Sequence, residues 1–402
     1  MTQALTRRVE SPPDLPESPE LIARRRRGLF FLGLAVGCVG FTMALQLGLN
    51  SNYVADTMGL TGQQQGYLEA SRESCGITAL VVLALLAGLA EPLVGAIMLV
   101  LLAVGLGAYW IVPRGQLGLL IVASLVWSQG LHVWMPLPNS MAMSLAEPGR
   151  TGRRLGQVAA AGSAGSFLGL ALALVLHKLG VPIRPLYLLA AAVAMLAAAA
   201  CLRIPRDLKT PGPRLVFRRK YWLYYLLSFL EGWRKQIFIA FAGFLLVVRY
   251  RTPLQTMLVL WIISNFIGYI AAHLVGRIID RLGERRVLVF YYAAMMLIFL
   301  GYEHAADRRL LYALFVADNV FFVCAMALTT IVSRLAPPEE YTPTLSMGVA
   351  VNHVAAVLMP LIGGYLWGLG YQWTFRVGTA AALASVLVAL LAPTRRKTMT
   401  NE

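Results

Sequence analysis

Long apolar runs separated by short polar segments dominate the chain from Gly28 onward. A helix needs about 20 apolar residues to cross a hydrocarbon core of about 30 Å, and most runs reach that length. Thr61 and Gln64 form a capping-box pattern at the start of the second run. The pattern predicts twelve membrane-spanning helices. Their predicted boundaries are 28–50, 62–89, 92–112, 116–145, 155–179, 183–203, 221–248, 254–279, 286–304, 309–335, 344–369 and 371–392.

The twelve predicted spans divide into two groups of six on either side of a basic, proline-containing segment. This division predicts an all-α polytopic membrane protein built from two six-helix bundles. The predicted parts are a disordered cytoplasmic tail at 1–27, an N-terminal bundle at 28–203, a basic cytoplasmic linker at 204–220, a C-terminal bundle at 221–393 and a second cytoplasmic tail at 394–402.

Basic residues alternate in number along the predicted loops, and this bias predicts the orientation. Of the 35 lysines and arginines, 24 fall on the side of the two termini, seven on the opposite side and four within spans. Cytoplasmic loops carry an excess of Lys and Arg, so both termini and the linker are predicted to be cytoplasmic. We expect the protein to be integral to a bacterial inner membrane and to be a monomer.

Composition supports this class and excludes others. The chain is 58% hydrophobic and only 13% charged, with a mean hydropathy of +0.67. Its net charge of +16 does not indicate a nucleic-acid partner, because the basic residues lie between apolar runs rather than on one surface. The four cysteines lie inside apolar runs without metal-ligand spacing. Because no Walker loop or nucleophile motif is present either, we predict no cofactor, no metal and no enzymatic activity.

The most specific motif lies between predicted spans eight and nine, where the sequence reads GRIIDRLGERR. It resembles the cytoplasmic loop signature of the major facilitator superfamily. Arg153-Arg154-Leu155-Gly156 and the segment 360–365 are similar to further patterns of that family. The resemblance covers residues 28–393 and implies a secondary transporter whose two bundles rock around a central cavity to give alternating access. The implied gating residues are Gly276, Arg277, Asp280, Arg281, Gly283, Arg285 and Arg286.

Two predicted spans carry ionisable residues at depths where they are costly, about 2.5–3.5 kcal/mol each on insertion scales. Span two has Glu69, Arg72 and Glu73, and span seven repeats the i, i+3, i+4 spacing from Glu231. That spacing places each set on one helix face. The two basic residues of span seven outnumber its one acid, which favours an anionic or zwitterionic ligand. The predicted substrate-binding residues are Arg72, Glu231, Arg234, Lys235, Asp318, Asn319, His132, Asn352, His353 and Gln46.

The charged face of span two also predicts a route for coupling to protons. Arg72 can hold one carboxylate ionised while the other exchanges a proton, and an exchange of partners would link protonation to conformation. We predict Glu69 and Glu73 as the coupling residues, with Glu73 as the carrier because it lies deeper. The alternative is that both clusters are static ion pairs, Arg72 with Glu69 or Glu73 and Lys235 with Glu231, that only lock helices together.

The leading hypothesis is therefore a transporter of a small polar or charged organic solute, with the proton as coupling ion and the bilayer as its surroundings. A second hypothesis is a transporter or flippase of amphipathic, lipid-like molecules. A third, from another class, is a receptor or assembly factor that kept the fold without transport.

Overall fold

The computed structural model describes residues 18–210 and 216–393. In these ranges the chain forms twelve helical rods, which we label α1 to α12. They are α1 (Pro19–Asn52), α2 (Gly62–Leu85), α3 (Glu91–Ala108), α4 (Leu117–Trp134), α5 (Thr151–Lys178), α6 (Ile183–Cys201), α7 (Trp222–Ile237), α8 (Leu254–Leu282), α9 (Glu284–His304), α10 (Arg308–Phe321), α11 (Pro338–Leu369) and α12 (Tyr371–Ala389).

Four rods continue beyond a local change of helix type. The continuations are Tyr53–Thr57 after α1, Leu137–Leu145 after α4, Phe238–Ala242 and Gly243–Tyr250 after α7, and Phe322–Ala325 and Met326–Leu335 after α10. Tyr53–Thr57 and Phe238–Ala242 are π-helical turns, and Phe322–Ala325 is a 3₁₀ turn. Such interruptions are frequent at functional positions of helices.

Two helix starts differ from the predicted boundaries. Helix α1 begins at Pro19, where Ser18 accepts a hydrogen bond from the Leu21 N–H, so the predicted disorder of the tail is wrong for residues 19–27. A serine cap followed by proline is a strong signal for the start of a helix, and Ser18-Pro19 provides it. Helix α11 likewise begins six residues earlier than predicted, at Pro338, the second residue of a Pro-Pro pair. Residues 1–17 and the predicted C-terminal tail at 394–402 lie outside the described residues.

Within the described ranges, nine rods are long and apolar enough to cross a membrane. The other three are α2, α7 and α12. Helices α2 and α7 each carry three ionisable residues, near the middle of α2 and in the last two turns of α7, which lowers their apolar character. Both are nevertheless packed among the spanning rods: α2 lies against α4 and α11, and α7 lies against α11 and α12. The protein is therefore an integral membrane protein with an all-α polytopic fold.

The hydrophobic interior consists of two cores. One joins buried residues from Leu32 to Leu208 and also includes Phe244, Leu254 and Leu258 of the second bundle, and the other joins buried residues from Tyr221 to Ala392. The two bundles meet mainly along α2 with α11 and along α5 with α8. Glycines permit close backbone approach in the first bundle, since a Cβ on Gly40 would lie 2.2 Å from the Gly162 carbonyl oxygen.

The bundles close on each other at the end where α1 finishes and α2 begins. There Asn52 Nδ2 donates to the Thr252 carbonyl oxygen at 3.1 Å, and a Cβ on Gly62 would meet the Trp367 ring at 2.2 Å. Further along α2, Gly66 packs equally closely on the Pro360 carbonyl of α11. The opposite end carries the linker and the starts of α7 and α11, and a cavity opens towards it.

Candidate functional site

A cavity of about 510 Å³ lies between the two bundles at mid-depth. Volumes of 300–1,000 Å³ are typical of sites for small molecules. Met43 and Leu47 of α1, Trp127 of α4 and Phe322 after α10 give it an apolar surface. Its polar lining comprises the hydroxyl residues Ser128, Tyr224, Ser228 and Thr329 and the charged or strongly polar residues Arg72, Glu73, His132, Glu231, Lys235, Asn352 and His353.

The α2 cluster consists of Glu69, Arg72 and Glu73, all nearly inaccessible to solvent. Arg72 Nη2 lies 2.5 Å from Glu69 Oε2 and 3.1 Å from Glu73 Oε1. Its guanidinium carbon lies 5.6 Å from the centre of the Trp127 ring, a cation–π distance. One cation is thus shared by two carboxylates of its own helix.

Glu69 lies on the side of this cluster that faces the closed end. Its Oε1 accepts hydrogen bonds from Asn50 Nδ2 at 3.1 Å and from Gln65 Nε2 at 3.2 Å. Gln65 Nε2 also donates to the Ala240 carbonyl oxygen at 3.1 Å, in the π turn after α7. The Glu69 network therefore joins α1 and α2 of one bundle to α7 of the other. Gln46, predicted to bind substrate, donates to Asn50 behind this network and does not line the cavity.

The α7 cluster is paired differently from the prediction. Arg234 Nη2 donates to Glu231 Oε1 at 2.8 Å, and Arg234 Nη1 donates to Asp318 Oδ1 of α10 at 3.2 Å. Tyr291 of α9 donates its hydroxyl hydrogen to the same Glu231 oxygen at 2.9 Å. The predicted excess of the two basic residues over Glu231 is therefore smaller than the sequence indicated, because Asp318, distant in sequence, also pairs with Arg234. The alternative pairing of Glu231 with Lys235 is also corrected.

Lys235 is the remaining member of that face, and it differs from Arg234 in its surroundings. It is partly buried and lines the cavity, whereas Arg234 is 1% exposed and does not. Among the described residues no carboxylate lies within ion-pair distance of Lys235. The structure thus provides one cation in the cavity that is not neutralised by an adjacent acid.

Two histidines from different bundles meet beside Glu73. His353 of α11 places Nδ1 3.6 Å from Glu73 Oε2, and the rings of His132 and His353 lie 5.1 Å apart. His132 Nδ1 lies 2.8 Å from the Ser128 carbonyl oxygen. Glu73, His132 and His353 form the one group of His, Cys, Asp and Glu side chains in the described ranges whose geometry suits a metal ion. Sequence spacing could not reveal it, because the three residues lie on three helices.

The other predicted binding residues have separate positions. Asn352 Nδ2 donates to the Ser228 carbonyl oxygen at 3.1 Å at the cavity wall. Asp318 is fully buried against Arg234, and neither it nor Asn319 lines the cavity. Sequence reasoning missed Tyr224 and Ser228, which line the cavity, and Tyr291, which binds Glu231. Ser228 lies one helical turn before Glu231, and Tyr224 lies two turns before it. Because residues at this spacing share the charged face of α7, the helical period was the sequence signal that could have identified them.

The predicted gating motif lies at the open end. Helix α8 ends at Leu282, Gly283 has a φ of 81°, and α9 begins at Glu284. Glu284 Oε1 lies 2.6 Å from Arg334 Nε at the end of the rod that begins with α10. The gating role of Gly276, Arg277, Asp280, Arg281, Gly283, Arg285 and Arg286 stays a prediction.

An ion pair in the N-terminal bundle occupies the same end of the molecule. Arg154 Nε donates to Glu147 Oε2 at 2.8 Å, and Arg154 Nη2 pairs with the other carboxylate oxygen. These hydrogen bonds lower the pKa of Glu147 to about 2. Arg154, in the first turn of α5, is thus anchored by an acid seven residues upstream.

Comparisons with known proteins agree with this architecture. The chain is similar to an uncharacterized MFS-type transporter of Methanocaldococcus jannaschii, with 23% identity over 266 residues, covering 63% of this chain and 67% of the relative. Among solved structures it is similar to a mutant of the nucleoside transporter NupG, with a TM-score of 0.77, 14% identity and coverage of 91% and 100%.

A second solved structure has the same fold. It is a bacterial homologue of the human lysosomal transporter Spinster, inward-facing and unoccupied, with a TM-score of 0.66, 11% identity and coverage of 94% and 98%. The model of the Major Facilitator Superfamily matches residues 30–302 and 225–402, which together span most of the sequence. With twelve rods, two cores and a central cavity, the chain belongs to the Major Facilitator Superfamily of membrane transporters.

Proposed function

We propose that this transporter carries a small organic anion or zwitterion by alternating access and is driven by protons. The observation that carries the proposal is the position of Lys235 in the central cavity without an adjacent carboxylate. Arg72 and Arg234 each have two carboxylates within ion-pair distance, so Lys235 is the cation most available to a ligand.

The rest of the cavity suits a ligand with a charged and a neutral part. The Tyr224 and Ser228 hydroxyls and the Asn352 amide provide hydrogen-bonding groups, while Met43, Leu47 and Phe322 provide apolar contact. A carboxylate or phosphate at Lys235 would form charge-assisted hydrogen bonds, which are stronger than neutral ones. An ammonium group of a zwitterion could bind near Glu73 or Glu231 in the same cavity.

The test is ligand-induced thermal stabilisation of the purified protein, screened with carboxylates, phosphate esters, amino acids and neutral nucleosides. We expect stabilisation by at least one anion or zwitterion. Lys235→Gln should weaken its binding about 10- to 100-fold, as expected for the loss of a hydrogen bond to a charged group, about 1.5–3 kcal/mol. Lys235→Arg should retain much of the affinity.

Lys178→Gln is the matched control, because Lys178 ends α5 outside the cavity. Stabilisation by neutral nucleosides alone, with Lys235→Gln binding them as the parent does, would exclude the anion proposal. The same thermal-stabilisation screen, carried out with lipid headgroups, separates the anion proposal from the flippase hypothesis.

Alternating access and orientation are part of the same proposal. If the linker is cytoplasmic, as the basic residues predict, the structure is closed outside and open inside. Cysteine labelling at Lys209 in the linker and at Arg308 at the start of α10 tests this orientation. We expect Lys209→Cys to react from the cytoplasm and Arg308→Cys from outside; the reverse pattern would contradict the topology.

For proton coupling we propose Glu69 as the carrier rather than Glu73. Glu69 lies in the network at the closed end, and opening that end would remove the Gln65 bridge to Ala240 and admit water. Arg72 already contacts both carboxylates, so it can remain with Glu73 when Glu69 binds a proton. The proton affinity of Glu69 would then differ between the two states, which is the requirement for coupling.

The experiment uses proteoliposomes and whichever anion the thermal screen identifies. Glu69→Gln should abolish accumulation driven by a pH gradient while exchange of substrate across the membrane persists. Glu73→Gln is the comparison variant. If accumulation driven by the pH gradient is lost in Glu73→Gln but not in Glu69→Gln, the proton carrier is Glu73, as its depth along α2 predicted. Unchanged accumulation in both variants would exclude coupling through this cluster.

A further inference from the structure

Glu73, His132 and His353 form a group on the cavity wall, and neither histidine has a role in the proposed function. One ligand atom of each residue lies within 4.8 Å of those of the other two, on α2, α4 and α11. We propose that these three side chains bind one divalent transition-metal ion at the inner wall of the cavity. The ion would join the first bundle, through Glu73 and His132, to the second bundle, through His353.

The state of each histidine supports this assignment. A carbonyl oxygen can only accept, so the contact of His132 Nδ1 with the Ser128 carbonyl at 2.8 Å requires a hydrogen on Nδ1. The lone pair of neutral His132 is then on Nε2. A backbone carbonyl that fixes the tautomer in this way is the usual outer partner of a metal-bound histidine.

His353 is the unsatisfied member of the group. It is 9% exposed, and its Nδ1 is buried without a hydrogen-bond partner in the described part of the chain. The nearest acceptor, Glu73 Oε2, is 3.6 Å away, too far for a hydrogen bond. Two ligand atoms on a tetrahedral ion with bonds of about 2.1 Å are separated by about 3.4 Å. The separation therefore fits an intervening ion better than a direct bond.

The surroundings of Glu73 leave it able to act as a ligand. Arg72 Nη2 contacts Glu73 Oε1 at 3.1 Å and so orients the carboxylate, while Oε2 points towards His353. Arg72 is closer to Glu69, at 2.5 Å, so most of its charge is balanced there. The α2 cluster with neutral histidines carries a formal charge of −1, which suits a dication.

The ligand set determines the class of ion. Imidazole nitrogens favour Zn²⁺, Co²⁺, Ni²⁺ or Fe²⁺ over Mg²⁺ and Ca²⁺, which prefer oxygen ligands. Two histidines and one carboxylate leave at least one coordination position open, as in exchangeable rather than closed structural sites. All three residues line the cavity, so an ion bound here is accessible from the open end.

The test is titration of the purified full chain with Co²⁺ after removal of any affinity tag, followed by visible absorption and calorimetry. We expect one saturable site per chain. His132→Gln and His353→Gln should each weaken Co²⁺ binding at least about 10- to 100-fold, and Glu73→Gln should do the same. His273→Gln, on the exposed part of α8, is the control and should bind Co²⁺ as the parent does.

Misfolding is separated from ligand loss by melting each variant without metal. A variant that melts like the parent yet is no longer stabilised by Co²⁺ supports the site. Lys235→Gln should bind Co²⁺ normally, so the metal site and the anion proposal can fail independently. Absence of saturable binding to the parent, or equal weakening in His273→Gln, would overturn the inference. If Glu73→Gln does not fold, the two histidine variants decide.

Discussion

Helices α2 and α7 carry ionisable residues at the same i, i+3, i+4 spacing, but the two clusters are built differently. In α2 the central Arg72 is shared by two carboxylates of its own helix. In α7 the central Arg234 contacts Glu231 of its own helix and Asp318 of α10. The same spacing in sequence therefore yields one cluster that is complete within a helix and one that requires a second helix.

The clusters also connect different parts of the molecule. The α7 cluster ties α7 to α10 and, through the Tyr291 hydroxyl, to α9, all within the second bundle. The α2 cluster extends through Glu69 and Gln65 to the Ala240 carbonyl, and hence across the closed end between bundles. We infer that the α7 cluster stabilises a bundle, while the α2 cluster lies at a boundary that must separate during transport.

The residues at the last position of the i, i+3, i+4 spacing differ in charge between the two helices: Glu73 on α2 is acidic, and Lys235 on α7 is basic. Both line the cavity, as Arg72 also does, whereas Arg234 is buried against its two acids and does not. An acid and a base therefore face one cavity from opposite bundles. This arrangement suits a zwitterion, or an anion together with a metal ion, more than a neutral solute.

Removing the central arginine should have the largest effect, and an unequal one. Arg234→Gln leaves Glu231 and Asp318 buried without a cation, which is expected to cost about 3–5 kcal/mol of stability. Arg72→Gln should cost less, about 1–3 kcal/mol, because Glu69 still accepts from Asn50 and Gln65 and Glu73 faces the cavity. Melting temperature and purified yield measure both effects.

Two further variants sharpen this comparison. The triple variant Glu231→Gln, Arg234→Gln, Asp318→Asn leaves no buried carboxylate without its cation and should recover part of the stability lost in Arg234→Gln. Arg249→Gln, at the partly exposed end of the α7 rod, should melt like the parent. If Arg72→Gln is as destabilised as Arg234→Gln, the distinction between the two clusters fails.

Glycine contacts with α11 provide a second comparison with an intermediate effect. A Cβ on Gly232 of α7 would lie 2.4 Å from the Asn352 carbonyl oxygen, and one on Gly66 of α2 would lie 2.3 Å from the Pro360 carbonyl oxygen. Overpacking of this kind costs about 1–3 kcal/mol. Gly232→Ala should lower the melting temperature, because both helices belong to one bundle. Gly66→Ala should instead open the closed end of a protein that stays folded.

The reporter for opening is Ser51→Cys, in a variant whose four native cysteines are replaced by alanine. Ser51 is 8% exposed and contacts Gly243 of the other bundle, so a thiol there reacts slowly while the end is closed. Faster labelling in Gly66→Ala than in Gly232→Ala is the expected result. Gly268→Ala is the control, since a Cβ there meets nothing within 4 Å. Equal labelling in all three variants would contradict the assignment of Gly66 to a moving boundary.

The hydrophobic pattern was sufficient for the fold and for the charged faces, because both depend on periodicity within single helices. The structure confirmed an all-α fold with twelve rods and the predicted family. Helix starts were less well predicted. The arginines at 24–27 end the apolar run of the first span, so the prediction began that span at residue 28, although the helix already begins at Pro19.

Partners distant in sequence were beyond the reach of spacing arguments. Asp318 lies 84 residues from Arg234, and His353 is 280 positions beyond Glu73, so only the packing of α10 and α11 brings them together. For the same reason the sequence could not show that Asp318 balances Arg234 and that Lys235 is the α7 cation without an adjacent carboxylate in the described ranges. Which residues share a helix face follows from the local sequence, whereas the charge balance of a cavity depends on which distant helices pack together.

The smallest expected effect concerns the ion pair between Glu147, in the loop before α5, and Arg154, in the first turn of α5. Its chemistry resembles that of Arg234 with its acids, but both side chains are partly exposed, at 25% and 19%. Exposed pairs contribute about 0.2–1 kcal/mol, so Glu147→Gln should lower the melting temperature only slightly, and less at high salt. Arg154→Gln should have the same effect, and the double variant should add little to either.

The pH dependence of this pair has a definite sign. Hydrogen bonds from Arg154 lower the pKa of Glu147 from about 4.5 to about 2. Stability from a carboxylate whose pKa is lowered on folding is fully present above its ordinary pKa and is lost as the pH falls towards the folded-state value. The difference in melting temperature between the parent and Glu147→Gln should therefore be constant above pH 6 and shrink between pH 5 and pH 2. A difference that grows on acidification, or one as large as that of Arg234→Gln, would show that burial is not what separates these ion pairs.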